Sequence, residues 1–190
     1  MKIRRDMYLD RLITRKGNGM AKVITGVRRS GKSFLMNELF YQHLIDQGVD
    51  RNHIIRFAFD SADDLAKIHE NPVQLALEKR KVDPLKFCNY IDQQIRTEGE
   101  YYLLLDEIQL MDAFESVINS YLRDRRLDLY VTGSNSKFLS SDIITEFRGR
   151  EMKSESIHFV FLNSSQDFME KNGRHGTIIC FMADCPRFWR

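Results

Sequence analysis

Eight consecutive residues, Gly26-Val27-Arg28-Arg29-Ser30-Gly31-Lys32-Ser33, satisfy the pattern G-x-x-x-x-G-K-[ST] in full. Successive backbone N–H groups can converge on phosphate oxygens only where side chains are missing at the tight points, which is what Gly26 and Gly31 provide. Lys32 supplies a point charge for β- and γ-phosphates, and the Ser33 hydroxyl is a Mg²⁺ ligand in such loops. The amides from Gly26 to Phe34, the latter already in the following helix, are expected to wrap the tail of a nucleoside triphosphate. A nucleoside triphosphate with Mg²⁺ is the ligand this implies. Arg28 and Arg29 are either exposed or in contact with the nucleotide or a partner.

A second group of residues ends an apolar run, Leu103-Leu104-Leu105-Asp106-Glu107. The C-terminal edge of a buried parallel strand is where ligands sit in open α/β sheets. Asp106 there holds Mg²⁺ through its water shell, and Glu107 orients and polarises the water that attacks the γ-phosphate. A solvated strand end accounts for the same pair taken alone. Thr132-Gly133-Ser134-Asn135 follows the next apolar run, so a hydroxyl or amide there reaches the same edge, although a plain turn reads identically. Arg148-Gly149-Arg150 sets two guanidiniums beside a flexible residue, the makings of an anion clamp. Asn135-Ser136-Lys137-Phe138 is not the N-K-x-D that reads guanine.

These groups need a scaffold of alternating strands and helices. Strands are expected at 21–25, 53–59, 101–105 and 127–131, the last stopped by Thr132-Gly133-Ser134-Asn135. Leu35, Leu39, Phe40 and Leu44 recur at helical spacing after the loop; Leu85, Cys88, Ile91 and Ile95 mark another helix ending near Gly99. Asp112 with Glu115 resembles a capping box opening a third. The stretch 62–83 is polar and gives no clear period. Alternation of this kind requires βαβ crossovers and a parallel sheet with helices on both faces. Arg123, Arg125 and Arg126 read as a solvated helix end beside Asp124 and Asp128.

Across 190 residues, 43% are hydrophobic and 29% charged, which fits one folded domain and excludes a disordered chain. A formal charge of +2 demands neither nucleic acid nor a membrane as partner. No apolar run approaches the roughly 18 residues that span a bilayer. Cys88, Cys180 and Cys185 form no metal set or disulfide framework, so a reducing cytoplasm is the expected setting.

Taken in order, ITGVRRSGKS, YYLLLDEIQ, VTGSNSKFLSSDI and TEFRGR resemble the prokaryotic AAA-type ATP-binding proteins of the extended AAA+ group. The resemblance runs over about residues 1–150. It implies a three-layer P-loop NTPase fold, a parallel sheet flanked by helices, truncated at its C-terminal end. It implies Gly31, Lys32 and Ser33 as phosphate and Mg²⁺ residues, and Asp106 and Glu107 as the second acidic motif. Ser134 or Asn135 matches the polar sensor, and Arg148 and Arg150 match a Gly-Arg segment acting as an arginine finger, in trans if the protein is a homo-oligomer. The domains expected are a basic leader at 1–20 packing on the core, an ATPase core at 21–150 and a divergent tail at 151–190. Hydrolysis of ATP is the function implied; a non-catalytic nucleotide switch, or an inactive fragment of such an ATPase, is the alternative.

After Arg150 the resemblance ends. Reading the back-translated tail from the third base of each codon recovers Tyr-Gly-Gly-Leu-Pro across Phe181 to Pro186, a motif like one found later in the family. Loss of one G after Arg150 would create Glu151-Met152, so the tail reads either as out of frame, with the family's fifth strand absent or replaced, or as a genuine divergent ending. Ile157 to Leu162 is nonetheless apolar and able to pair with a sheet edge. Sequencing the coding DNA tests this: the shifted frame is expected to stay open and carry those motifs, and early stop codons would refute it.

Overall fold

The computed structural model describes residues 6–26 and 29–134 and, beyond them, strands 157–162, 170–173 and 176–182. In chain order the elements are α1 (Asp6–Thr14), β1 (Lys22–Gly26), α2 (residues 32–46), β2 (Ile54–Ala58), α3 (Ala62–Lys67), α4 (Pro72–Leu77) and α5 (Pro84–Gln94). There follow β3 (Tyr101–Asp106), α6 (Phe114–Tyr121), β4 (Leu127–Ser134), β5 (Ile157–Leu162), β6 (Glu170–Gly173) and β7 (Gly176–Met182). The sheet order is β2-β3-β4-β1-β5-β7-β6, parallel throughout except for β6, which runs antiparallel at one edge. This is the three-layer α/β sheet expected. Strand β5 pairs with β1 in register Lys22↔Ile157, so the apolar run at 157–162 does occupy the sheet edge beside the phosphate-loop strand.

Successive strand residues face opposite sides, and here that alternation sorts the core into two layers. Val23, Phe57, Leu103, Leu105, Leu129 and Val131 pack against α5 and α6 through Phe87, Ile91, Phe114 and Ile118. Ile24, Ile54, Tyr102, Leu104 and Tyr130 pack against α1 and α2 through Tyr8, Leu12, Leu35, Met36, Phe40 and Leu44. Phe40 and Tyr130 meet with ring centroids 4.3 Å apart.

The stretch 62–83 holds two short helices whose starts are set by local chemistry rather than by apolar period. Ser61 caps α3, and the Asn71 side chain accepts from the Val73 and Gln74 amides with Pro72 in the first turn of α4. Asp83 and Pro84 start α5 in the same way, and it ends at Gln94, short of Gly99. The capping box expected at Asp112 and Glu115 does not form. Asp112 N–H donates to the Val82 carbonyl at 3.0 Å, holding it in an extended segment, and α6 begins after Ala113 with φ 45° and no side-chain cap. β4 also runs on through Thr132-Gly133-Ser134, where a turn was expected, because β1 pairs with it as far as Gly26↔Ser134.

Asp128 is buried, not part of a solvated helix end. It faces the α2 side of the sheet with Lys22, whose ammonium pairs with it and lies 5.0 Å from the Tyr130 ring centroid. Its other oxygen accepts from the Tyr130 hydroxyl and from Gly17 N–H, both at 2.9 Å, which ties the turn after α1 to the sheet. Burial pushes the Lys22 ammonium down, and Asp128 opposes that shift. Removing one partner strands the other charge in the core. Asp128→Ala should therefore cost about 3–5 kcal/mol in urea unfolding. The paired replacement Lys22→Met with Asp128→Leu should restore most of it.

Candidate functional site

β1 delivers the chain into the phosphate loop at Gly26, and α2 leaves it at Lys32. Gly31 takes φ 91°, a left-handed conformation that costs glycine nothing, and Arg29 is held at φ 67°. Gly31 thereby turns the backbone so that α2 starts immediately beyond it, its first hydrogen bond running from Leu35 N–H to the Gly31 carbonyl at 3.0 Å. Lys32 is buried at 4% exposure, and its Nζ donates to the Gly26 carbonyl at 3.1 Å. Burial pushes its ammonium down, while the Glu107 and Asp106 carboxylates push it back up. The buried Ser30 hydroxyl has no partner among the described residues. Ser33 and Phe34 are exposed at the head of α2.

The acidic pair follows from strand parity. Asp106 continues the Tyr102–Leu104 side of β3 and so faces α2. The register Leu105↔Val131 sets Asp106 next to Thr132 of β4. The fully buried Thr132 hydroxyl donates to the Asp106 carboxylate and accepts from Glu107 N–H at 3.1 Å. On the helix side, Asn37 Nδ2 donates to the other Asp106 oxygen at 3.3 Å. Glu107 leaves the strand at φ 53°, and its carboxylate accepts from the Gln109 side-chain amide.

Gly26, Arg29, Ser30, Gly31, Lys32, Ser33, Phe34, Asp106 and Glu107 therefore gather at one end of the sheet, at the C-terminal edge of its parallel strands. Ser134 ends β4 opposite Gly26, which puts its backbone at that edge. Val27, Arg28, Asn135, Arg148 and Arg150 lie outside the described residues. Thr132, within the segment 132–135 expected at this edge, acts as a bridge, and two positions carry contacts that the sequence reading did not single out: Asn37 on Asp106 and Gln109 on Glu107. Thr132 was within reach, because it stands four residues after Asp128 and two after Tyr130 on the same strand face. Asn37 was concealed by helical irregularity, since it lies in a π-helical stretch, Leu35–Phe40, where wheel positions shift.

No group of three or more His, Cys, Asp or Glu side chains able to hold a metal occurs among the described residues. The donor set does fit a hydrated Mg²⁺, which needs only one or two protein oxygens beside those of a phosphate. The Ser30 hydroxyl without a partner and the Lys32 ammonium resting on a carbonyl match an anion in the loop.

The sequence matches the family described as "AAA domain" over residues 18–165. The chain belongs to the AAA domain family. This AAA domain is 32% identical over 149 residues to an uncharacterized protein of Haemophilus influenzae, covering 78% of this chain and 34% of that one. It is 30% identical over 144 residues to an uncharacterized protein of Methanocaldococcus jannaschii, covering 74% and 27%. The chain thus spans about a third or less of the length of these curated relatives. Among solved structures, Drosophila ORC bound to DNA aligns at 9% identity and TM-score 0.41, covering 75% of this chain and 85% of that one, a distant likeness.

Two measurements check the geometry of the AAA domain. Thr132→Val removes a donor from Asp106 and an acceptor from Glu107 N–H, and should cost about 1–3 kcal/mol in denaturant unfolding, with Thr132→Ser close to wild type. Because burial lowers Lys32, the folded state sheds that proton before the unfolded chain does at its ordinary 10.5. The unfolded state binds more protons across that window, so stability contributed by this group rises with pH there. Lys32→Met should abolish that rise, read as urea-unfolding stability followed through the alkaline range.

Proposed function

We propose that this AAA domain binds ATP with Mg²⁺ and hydrolyses it to ADP and phosphate. The observation that carries the reading is the buried Lys32 ammonium, which donates to the Gly26 carbonyl and feels the Asp106 and Glu107 carboxylates, in a loop whose buried Ser30 hydroxyl has no partner among the described residues. A desolvated cation at the mouth of a helix, with loop amides around it, is built for a polyphosphate. In this reading the backbone from Gly26 to Phe34 cradles the phosphates, and Lys32 leaves the Gly26 carbonyl to meet the β- and γ-oxygens. Ser33 and Asp106 hold Mg²⁺, whose part is to neutralise charge on the transferred phosphoryl group. Thr132 and Asn37 fix the Asp106 carboxylate, and Glu107 orients the attacking water.

Ser134, Asn135, Arg148 and Arg150 complete the proposal as sensor and arginine finger, the arginines acting across a homo-oligomer. The core of the activity is assigned to residues 21–150, with 1–20 as a leader and 151–190 as a divergent tail. Among the described residues no helix is long and apolar enough to cross a membrane, and the proposed setting is the reducing cytoplasm. One observation favours a second reading, a nucleotide-dependent switch with negligible turnover. The Glu107 carboxylate is engaged by Gln109 and must let go before it can orient water.

Paired variants decide between them. Lys32→Ala should abolish binding of labelled Mg·ATP, and Glu107→Gln should bind normally but release phosphate about a hundredfold more slowly. Wild-type protein that is stabilised by ATP yet releases no phosphate supports the switch. A well-folded wild-type sample with no saturable ATP complex overturns both readings.

A further inference from the structure

Separated from β1 by β3 and β4, strand β2 forms an edge of the sheet, and a groove of about 600 Å³ runs beside it. Arg51, Arg56, Lys67 and Arg96 all line this groove, each from a different element, and no carboxylate does. Lys67 is already paired with Asp64 at 2.6 Å. The three guanidiniums are not paired with any carboxylate among the described residues. Arg56 lies 4.0 Å from the Tyr41 ring centroid and donates to the Asn37 carbonyl at 3.3 Å; Arg96 Nε donates to the Gln93 carbonyl at 2.7 Å. The Arg51 guanidinium makes no hydrogen bond or ion pair among the described residues.

The backbone of the edge is as informative as the charge. Phe59 N–H donates to the Asp106 carbonyl at 3.0 Å, so the odd-numbered residues of β2 address β3 and the even-numbered ones address the groove. At position 58 both outward groups are satisfied within the domain: the amide by the Asp64 carboxylate at 2.8 Å, the carbonyl by Ser61 N–H at 3.0 Å. Ile54 N–H is satisfied by the Arg51 carbonyl. The Ile54 carbonyl and both backbone groups of Arg56 have no partner among the described residues. A residue of a parallel strand opposite Ile55 would donate to the first and accept from the Arg56 amide.

We infer that this edge is a docking groove for an extended, acidic peptide segment of a partner protein, which adds to the sheet as a further strand beside β2. Main-chain hydrogen bonds supply the register, and carboxylates on the added strand meet Arg51, Arg56 and Arg96. A nucleic-acid strand has the charge but not the hydrogen bonding. Its backbone presents acceptors, which would face the Ile54 and Arg56 carbonyls unpaired. Of the two tyrosines lining the groove, Tyr101 is buried and stacks on His53 at 4.4 Å, and Tyr90 is half-buried against Phe57 at 5.7 Å, which leaves no row of exposed rings for successive bases. This inference is independent of the nucleotide reading, because none of the three arginines belongs to the phosphate site.

The test uses the full chain and a fluorescein-labelled peptide of alternating valine and glutamate, about six residues long, read by anisotropy. Three further arms are the same peptide with its alternate amides N-methylated, an oligothymidylate, and the double variant Arg51→Glu with Arg96→Glu. Saturable binding of the acidic peptide is expected, weakened about tenfold or more by N-methylation and by the double variant. Both substitutions are at exposed positions, and thermal melting together with ATP titration of the variant confirms an intact fold and loop. No binding to the folded wild type, equal binding of the N-methylated peptide, or tighter binding of oligothymidylate would each overturn the inference.

Discussion

The Asp106 carboxylate is the point at which three elements of this domain are tied together. A buried carboxylate is tolerated only where donors replace the water it has lost. Here β4 supplies the Thr132 hydroxyl, α2 supplies the Asn37 amide, and Lys32 lends its charge from the head of the same helix. The donors come from two separate parts of the chain, β4 and α2, so the carboxylate is satisfied only once the sheet is in register and α2 is docked. The glycine-rich loop at the head of α2 and the acidic end of β3 are thereby placed as one unit.

The opposite end of the same sheet face is built on related terms. Lys22, Asp128 and Tyr130 occupy the α2 side of β1 and β4, with the amide of Gly17 closing the cluster. Burial raises the Tyr130 phenol well above its ordinary value, so it stays a hydroxyl and a donor to Asp128 at any ordinary pH. Two polar anchors thus bracket the apolar layer of Ile24, Leu104, Phe40 and Leu44, and a slip of one residue in β4, which contributes to both, would break both.

Much of this was legible from residue order. The first four strands, the loop and the acidic pair are where apolar runs and glycine spacing placed them, because short parallel strands packed between helices read as nearly unbroken hydrophobic text. What the text did not yield is equally physical. Helices α3 and α4 are too short for a period to emerge, and they are started by Ser61 and Asn71 instead. Asp112 looked like a cap, but a backbone bond to Val82 holds it elsewhere. Asp128 looked solvated because its neighbours Asp124 and Arg126 pair with each other at the surface, while strand parity turns Asp128 inward. Thr132 looked like part of a turn, because glycine and serine follow it, yet pairing with β1 extends the strand.

The π-helical turns of α2 set a rule for how this region can change. A helix that carries an extra residue per wide turn has its later side chains rotated by about 100° from where a regular α-helix would put them. Leu35 through Phe40 hold that surplus directly behind the loop, and Phe40 and Leu44 fit the sheet only with it in place. Side-chain replacements here alter one contact at a time. Losing a single codon would instead let the helix relax to ordinary pitch and turn its whole downstream half away from the sheet, so chain length, more than composition, is what this helix must conserve.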